Sequence, residues 1–559
     1  MSSDHETRPL RTLNGLLEWK AMSLNDSPVI VPLGQKNAWT QSVNQPRTLL
    51  CHDMKGGYLA DRFTHGSLVG VDEPYLFYHW SHIHGFIYFS HNFVTIPPVG
   101  WINAAHRNGV MVFGTLITEW DDGKAIWLTL LSDDALLKRT ASQLVKIAEE
   151  HHLDGWLVNV ENSIEPTDVD KVAAFLRKLR SPISLNGKSR RLTIIWYDSI
   201  TIKGDLKWQN ALNDYNMKFF QFADGIFLNY NWKFEDLVAS KATAGNFRQY
   251  DVFVGVDCFG RGCHGGGGWN TSEALRVIRE HDMSVALFAP GWVLECNDAS
   301  CFQENQEKFW LLMSPYLPSH KIVEELPLKT SFCVGYGRRK FAEGLPVDCP
   351  SELSKHQSEK CEELTHWYNL NEQNIQPVFH ANDSTRTEDA CSKRHCFGEA
   401  WSGGGCLELS TSSTKSVTRW TLFQTAIPLK NTVVVDITVK APAQGELRGI
   451  RFGLEIVIGE RMVLCLCGGQ AQCTSTGSEE SRETLLPARC CDLNSVVPGA
   501  SWCRYEFVLP ACTEDQTTVM DRISFHVHRD DRSEDRALRF LLGQLRISEA
   551  TNSMLQSLQ

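Results

Sequence analysis

Between residues 75 and 336 short apolar runs recur along the chain, with stretches of helical period between them. The runs are FIYFS (86–90), GVMVFGTLITEW (109–120), DGWLVNVE (154–161), RLTIIWYDS (191–199), DGIFLNYNW (224–232), VFVGVDCFG (252–260), SVALFAPGW (284–292) and TSFCVGYG (330–337). From 136 to 152, Leu137, Leu144, Val145, Ile147 and Ala148 fall on one side of a helix, with Lys138, Arg139, Glu149 and Glu150 largely on the other. Strands alternating with amphipathic helices at this spacing predict βα units closed into a TIM barrel. After Arg338 the texture changes. A polar stretch to about His395 precedes strand-like runs such as CLELSTS, TVVVDITVKA, RFGLEIVIG and RISFHVHRD, broken by Gly, Pro, Asn, Asp or Ser, which reads as a β-sandwich. The expected architecture is α/β: residues 1–70 lead in, 71–340 form a (β/α)8 barrel, 341–395 a polar linker and 396–550 an all-β sandwich.

A chain of 559 residues exceeds what one hydrophobic core supports, in keeping with that division. Charge narrows the partners. A formal net charge of -11 disfavours nucleic acid and anionic membranes and suits a neutral ligand. The 17 Trp and 27 Phe supply flat rings that can fill cores or stack on sugars. Met1 to Leu16 is polar and no later run reaches the roughly 18 apolar residues a membrane helix needs, so the expectation is a cytosolic protein. Its 18 cysteines are then expected to be reduced, mostly buried thiols. The densest group, Cys465, Cys467, Cys473, Cys490 and Cys491, lacks the paired knuckles of a zinc site, so no metal and no cofactor is expected.

In a TIM barrel the chemistry sits at the carboxyl ends of the strands. Here those ends carry Glu119 and Trp120, Asn159 and Glu161, Tyr197 and Asp198, Asn229 and Trp232, Asp257 and Arg261, and Trp292, more polar and aromatic groups than packing requires. Within DGWLVNVE, side chains alternate with period two, so Leu157, Asn159 and Glu161 share a face while Val158 and Val160 point away. The run resembles the D-G-x-D-x-D-x-E strand of chitinases, with Leu157 and Asn159 at the two Asp positions. No acid on this strand shares Glu161's face to act as a nucleophile, which points to substrate assistance. The substrate's own acetamide attacks, Asn159 holds and stabilises it, and Glu161 protonates the leaving oxygen and later deprotonates water. Tyr197 is the candidate third member, a phenol able to hydrogen-bond the acetamide. Trp120, Trp208, Trp232, Trp292, Phe259 and Asn229 are the candidate substrate-binding groups. A chitinase-like hydrolase and a glycan-binding barrel without chemistry are the alternatives.

The segments FYHWSHIHGFIYFSHNFVTIPPVGWINAAHRNGV, GTLITEW, DGWLVNVEN, WYDS, LKWQNALN, NYNW, VGVDCFGRG and SVALFAPGW together resemble the endo-β-N-acetylglucosaminidases of glycoside hydrolase family 85. The resemblance implies hydrolysis of the GlcNAc-β-1,4-GlcNAc bond in N-glycan chitobiose cores through an oxazoline intermediate, without metal. It also implies a cytosolic role in breaking down free oligosaccharides and glycoproteins. It places the catalytic Asn and Glu on Asn159 and Glu161, the supporting Tyr on Tyr197, and substrate-facing aromatics on Trp208, Trp232 and Phe259. Where the family's first strand often carries Asp, this chain has His84. Around EAWSGGGCLEL and LGQLRIS the carboxyl-terminal part resembles carbohydrate-module-like sandwiches more loosely.

Overall fold

The computed structural model describes residues 5–21, 28–64, 74–185, 188–321, 325–347, 366–379, 391–412, 415–467, 483–487, 489–492, 501–510, 518–530 and 536–551. They fall into two compact units: one holds 82–318 with most of the chain before residue 76, and the other holds 76–81 and the chain from Ser319 onward.

The first unit is a closed parallel barrel. Its strands are β1 (Thr48–His52), β2 (Gly85–Tyr88), β3 (Met111–Glu119), β4 (Gly155–Glu161), β5 (Thr193–Tyr197), β6 (Gly225–Leu228), β7 (Val252–Asp257) and β8 (Ser284–Phe288). Each pairs in parallel with the next, and β1 pairs with β8 to close the ring. The helix expected over 136–152 is present as α2 (Asp134–Glu150), whose N-cap Asp133 accepts from the Ala135 amide, and a further helix, α1 (Trp120–Ser132), precedes it. Two strand assignments differ from the sequence reading. TLLCH, a five-residue run in the stretch expected only to lead into the barrel, supplies β1. TSFCVGYG, expected as the last barrel strand, belongs to the second unit. TLLCH is too short to carry a period of its own, and pairing on both sides by β2 and β8 makes it a strand.

Leu49, Cys51, Ile87, Phe113, Ile117, Leu157, Ile195, Phe227 and Phe253 fill the barrel interior. Burying an aliphatic or Phe side chain stabilises by about 1.5–3 kcal/mol, so this packed layer is a floor beneath the mouth rather than a pore. The Asp-Gly pair opening β4 has a steric reason: a Cβ at Gly155 would lie 1.8 Å from Thr193 O. Trp156, Val158 and Val160 point outward and are buried too, so β4 is apolar on both faces until its last inward residues.

The second unit is a sandwich of two largely antiparallel sheets. Its strands are β9 (Leu328–Thr330), β10 (Cys391–Cys396), β11 (Cys406–Thr411), β12 (Val417–Leu429), β13 (Val433–Lys440), β14 (Ile450–Ile458), β15 (Arg461–Leu466), β16 (Glu483–Pro487), β17 (Arg489–Asp492), β18 (Cys503–Leu509), β19 (Thr518–Arg529) and β20 (Leu538–Glu549). One sheet runs β10-β11-β20-β13-β18-β17, with β9 also on β20; the other runs β12-β19-β14-β15-β16. Alternate side chains from both sheets make one core, where Phe452 and Phe525 meet Phe540 at ring distances of 5.1 and 5.4 Å. Cys465 is a buried free thiol and Cys467 is buried as well; Cys473 and the side chains of Cys490 and Cys491 lie outside the described residues.

Candidate active site

At the carboxyl end of β4, Leu157 belongs to the interior layer, Asn159 sits above it and Glu161 reaches the rim. Asn159 Nδ2 donates to Glu161 Oε1 at 3.3 Å. The other amide atom, Asn159 Oδ1, is buried and has no hydrogen-bond partner among the described residues. Burial raises the Glu161 pKa above the usual carboxylate range and Glu119 adds to the rise; the Asn159 donor and His91 pull the other way. A carboxyl held toward its neutral form is what a general acid requires.

Register places two more groups at this rim. Ile117 pairs with Asn159 and Glu119 with Glu161 across β3 and β4. His91 Nδ1 lies 3.1 Å from both Glu119 oxygens, and this contact raises the His91 pKa. His91 thus partners Glu119, and Glu161 has no ion pair among the described residues.

Tyr197, buried at the end of β5, donates from its hydroxyl to Asn229 Oδ1 at 2.9 Å, and Asn229 Nδ2 donates to Asn210 Oδ1 at 2.8 Å. Burial, then the Glu161 and Asp198 charges, push the phenol well above its ordinary pKa, so it works as a neutral hydrogen-bonding group. Asp198 organises the loop beyond. Its Oδ2 accepts from the amides of Gln209 and Asn210 at 2.9 and 2.7 Å, and its Oδ1 from Asn216 Nδ2 at 3.0 Å. Burial nevertheless pushes its pKa up to about 6. The bracket fixes the chain immediately after Trp208, which is itself 36% exposed.

The other sequence candidates separate by exposure. Trp120, 65% exposed, opens α1 with a left-handed backbone. Phe259 is half-buried under the Arg261 guanidinium, 5.3 Å from its ring centre, and Arg261 forks onto Asp257 at 2.7 and 3.1 Å. Trp292 is half-buried, edge-on to Trp269 at 5.3 Å and near Phe309. Trp232 is only 5% exposed; its indole donates to Gly255 O at 2.8 Å and its ring stacks on His264, so packing occupies the faces a sugar would need. His84 lies at the opposite end of the barrel, where its Nδ1 accepts from the Thr48 amide at 3.0 Å and its Nε2 contacts Ser42 Oγ, joining β1 to β2. His91 and Asn210 were not among the sequence candidates. The first lies one residue beyond FIYFS, a signal of place without chemistry; the second is visible only once β5 and β6 are side by side. Among the described residues no group of three or more His, Cys, Asp or Glu is arranged to hold a metal ion.

Fold and rim define a (β/α)8 barrel whose mouth offers a neutral-leaning acid, a carboxamide and exposed aromatics, an arrangement suited to acid/base chemistry. The chain belongs to Glycosyl hydrolase family 85, whose sequence profile matches residues 58–340. It is 35% identical to the cytosolic endo-β-N-acetylglucosaminidase of Danio rerio, over 97% of this chain and 73% of that one. It is 44% identical to the Gallus gallus protein of the same name, over 72% of this chain and 52% of that one. The chain thus spans about half the length of its chicken relative. In structure it resembles the glycoside hydrolase domain of Endo-D from Streptococcus pneumoniae R6, with a TM-score of 0.69 at 18% identity, covering 98% of this chain and 84% of that one.

Proposed function

We propose that this chain is a cytosolic endo-β-N-acetylglucosaminidase that hydrolyses the GlcNAc-β-1,4-GlcNAc bond of N-glycan cores, on free oligosaccharides and glycoproteins, as part of their breakdown. Glu161 protonates the departing sugar oxygen. The acetamide carbonyl oxygen of the sugar on the other side of the bond attacks its own anomeric carbon, giving an oxazoline, and Glu161 then deprotonates the water that opens it with retention. Asn159 holds the acetamide in attack geometry, and the Tyr197 hydroxyl steadies it from the β5 side. Trp208 and Trp120 offer the open rings for stacking, with Asn229, Phe259 and Trp292 around them.

The observation that carries this reading is the unpartnered, buried Asn159 Oδ1 beside Glu161. A buried acceptor left unpaired costs about 1–3 kcal/mol, and an acetamide N–H is a donor of the right kind to satisfy it. A second reading rests on the register pairing of Glu119 with Glu161. Retaining enzymes with a protein nucleophile place two carboxylates about 5 Å apart, close to the spacing of adjacent strands. Two features favour the first reading: Glu119 lies on the same wall as Glu161 rather than across the bond, and His91 occupies both its oxygens.

One experiment separates them. In Asn159→Ala, cleavage of intact glycan should collapse, since positioning of this kind is worth several kcal/mol, while transfer of a preformed sugar oxazoline to a GlcNAc acceptor should persist because Glu161 remains. Glu119→Gln should keep substantial hydrolysis. If Asn159→Ala fails equally with both donors, or if Glu119→Gln is as inactive as Glu161→Gln, substrate assistance through Asn159 is wrong.

A further inference from the structure

The segment 397–405, which ends in three glycines, joins two strands whose ends carry cysteines: Cys396 closes β10, Cys406 opens β11, and the two are register partners in the antiparallel pair. Directly opposed residues in such a pair have Cα atoms about 4.5–5.5 Å apart, inside the 4.4–6.8 Å range that a disulfide spans. Both are free thiols. Their surroundings differ. Cys406 is fully buried in a small cluster with Phe341, Ala400, Trp502 and Leu541, on the face of the sheet away from the sandwich core, while Cys396 is partly exposed at its edge. Arg539 of β20 reaches over β11, donating to Glu408 Oε2 at 2.7 Å and presenting Nη2 to Cys396 Sγ at 3.7 Å.

We propose that Cys396 is a nucleophilic thiol that reacts with hydroperoxides and that Cys406 is its resolving partner, giving a cross-strand disulfide. In the first step the Cys396 thiolate sulfur attacks one oxygen of hydrogen peroxide, the O–O bond breaks, and the departing hydroxide takes a proton to leave as water. Cys396 is then a sulfenic acid. In the second step Cys406 loses its proton, its sulfur attacks the Cys396 sulfur, the S–O bond breaks, and hydroxide leaves with that proton as a second water. Two thiols are oxidised and one peroxide is reduced.

The charges around the pair suit these roles. Donation from the Cys406 thiol lowers the Cys396 pKa to about 6 against the opposing effect of burial, with the amides of Gly398 and Glu399 and the Arg539 guanidinium adding to the lowering. The Cys406 thiol is pushed well above its ordinary range by that same contact and by burial, so the proton stays on the buried sulfur and the charge on the accessible one. The opposing charges belong to Glu399, beside Lys440, and to Glu408, which Arg394 and Arg539 neutralise from both sides. The exposed Cys296 and Cys301 of the barrel unit provide internal comparators: partial burial, and then the Glu295 charge, raise the Cys296 pKa.

The test uses the full chain, reduced, then treated at neutral pH with a few equivalents of hydrogen peroxide and blocked with N-ethylmaleimide before peptide mapping. The Cys396–Cys406 crosslink should be the first oxidation product among the 18 cysteines and should disappear on reduction with dithiothreitol. In Cys406→Ala, dimedone should trap a sulfenic acid at Cys396. Arg539→Gln should slow the peroxide reaction roughly threefold or more, part of the lost thiolate being offset by the greater nucleophilicity of a more basic sulfur, whereas Arg539→Lys should keep most of the rate. Oxidation of Cys296 or Cys301 ahead of the pair, or no dimedone adduct at Cys396 in Cys406→Ala, would overturn the proposal. Neither of those two readouts depends on an Arg539 variant folding.

Discussion

The two ends of the barrel treat buried and half-buried carboxylates in opposite ways. At the amino ends of the strands, Asp154 is fully buried, with Oδ2 accepting from the Val112 amide at 2.5 Å and contacting His106 Nε2 at 3.0 Å, and with Oδ1 paired to Arg190. Asp224 takes Arg180 and Arg191 at 2.7 and 2.9 Å together with the Ile194 amide, and Asp251 takes Arg47, whose guanidinium stacks on Trp39. At the carboxyl ends, Glu161 has only a carboxamide and Asp198 only N–H groups; neither has an ion-pair partner among the described residues, and both have raised pKa values. The floor satisfies its charges and so holds the ring closed. The mouth leaves acids short of partners, which costs stability and keeps a proton available for transfer. Asp257 with Arg261 and Glu119 with His91 are counterexamples at the mouth, and in the first the fork holds the arginine over Phe259.

Breaking the mouth at its centre should give the largest effect. Glu161→Gln should lower glycan hydrolysis by about 10²- to 10⁴-fold, the range for loss of general acid/base catalysis, while glycan binding persists. Because burial disfavours the charged carboxylate, the same variant should melt no lower than the parent at neutral pH, and a clear fall in melting temperature would mean that Glu161 holds the fold. The floor should respond in reverse. Asp154→Ala strips a buried anion from Arg190 and His106 and should cost about 3–5 kcal/mol in urea unfolding, with the activity per folded molecule nearly unchanged.

A pH series sharpens the contrast. The folded pKa of Asp198, about 6, lies above the unfolded value near 3.8, so the folded state binds the extra proton between those values. Its contribution is full below about pH 4 and lost as pH rises through about 6, a change of up to about 3 kcal/mol at 1.36 kcal/mol per unit. Asp198→Asn should flatten this part of the stability profile. Equal slopes in variant and parent between pH 4 and 7 would show that Asp198 does not titrate there. The smallest effect is expected at the exposed aromatics. Trp208→Ala should raise KM by a factor corresponding to about 0.5–1.5 kcal/mol and leave the melting temperature alone, whereas Trp232→Ala should cost about 3–5 kcal/mol of stability. If the two tryptophans behave alike, the division by exposure fails.

Local pattern alone determined a good deal of this protein. Period two along a single strand is enough to put Asn159 and Glu161 on one face, because both residues ride the same pleat and no distant contact can separate them. Alternation of strands and helices, and then of strands alone, was enough for a barrel and a sandwich, since each element must bury its apolar face in one of few ways. Only the tertiary structure decided which groups stand beside that pair. The opposition of Glu119 to Glu161, the approach of His91, and the chain from Tyr197 through Asn229 to Asn210 all depend on the register between strands and loops distant in sequence, fixed by closing the ring. The same closure made TLLCH a strand, sent TSFCVGYG to the other unit, and buried Trp232 while leaving Trp208 and Trp120 open. A tryptophan's sequence neighbours do not record which loop will cover it, and burial is a property of the assembled mouth rather than of the residue.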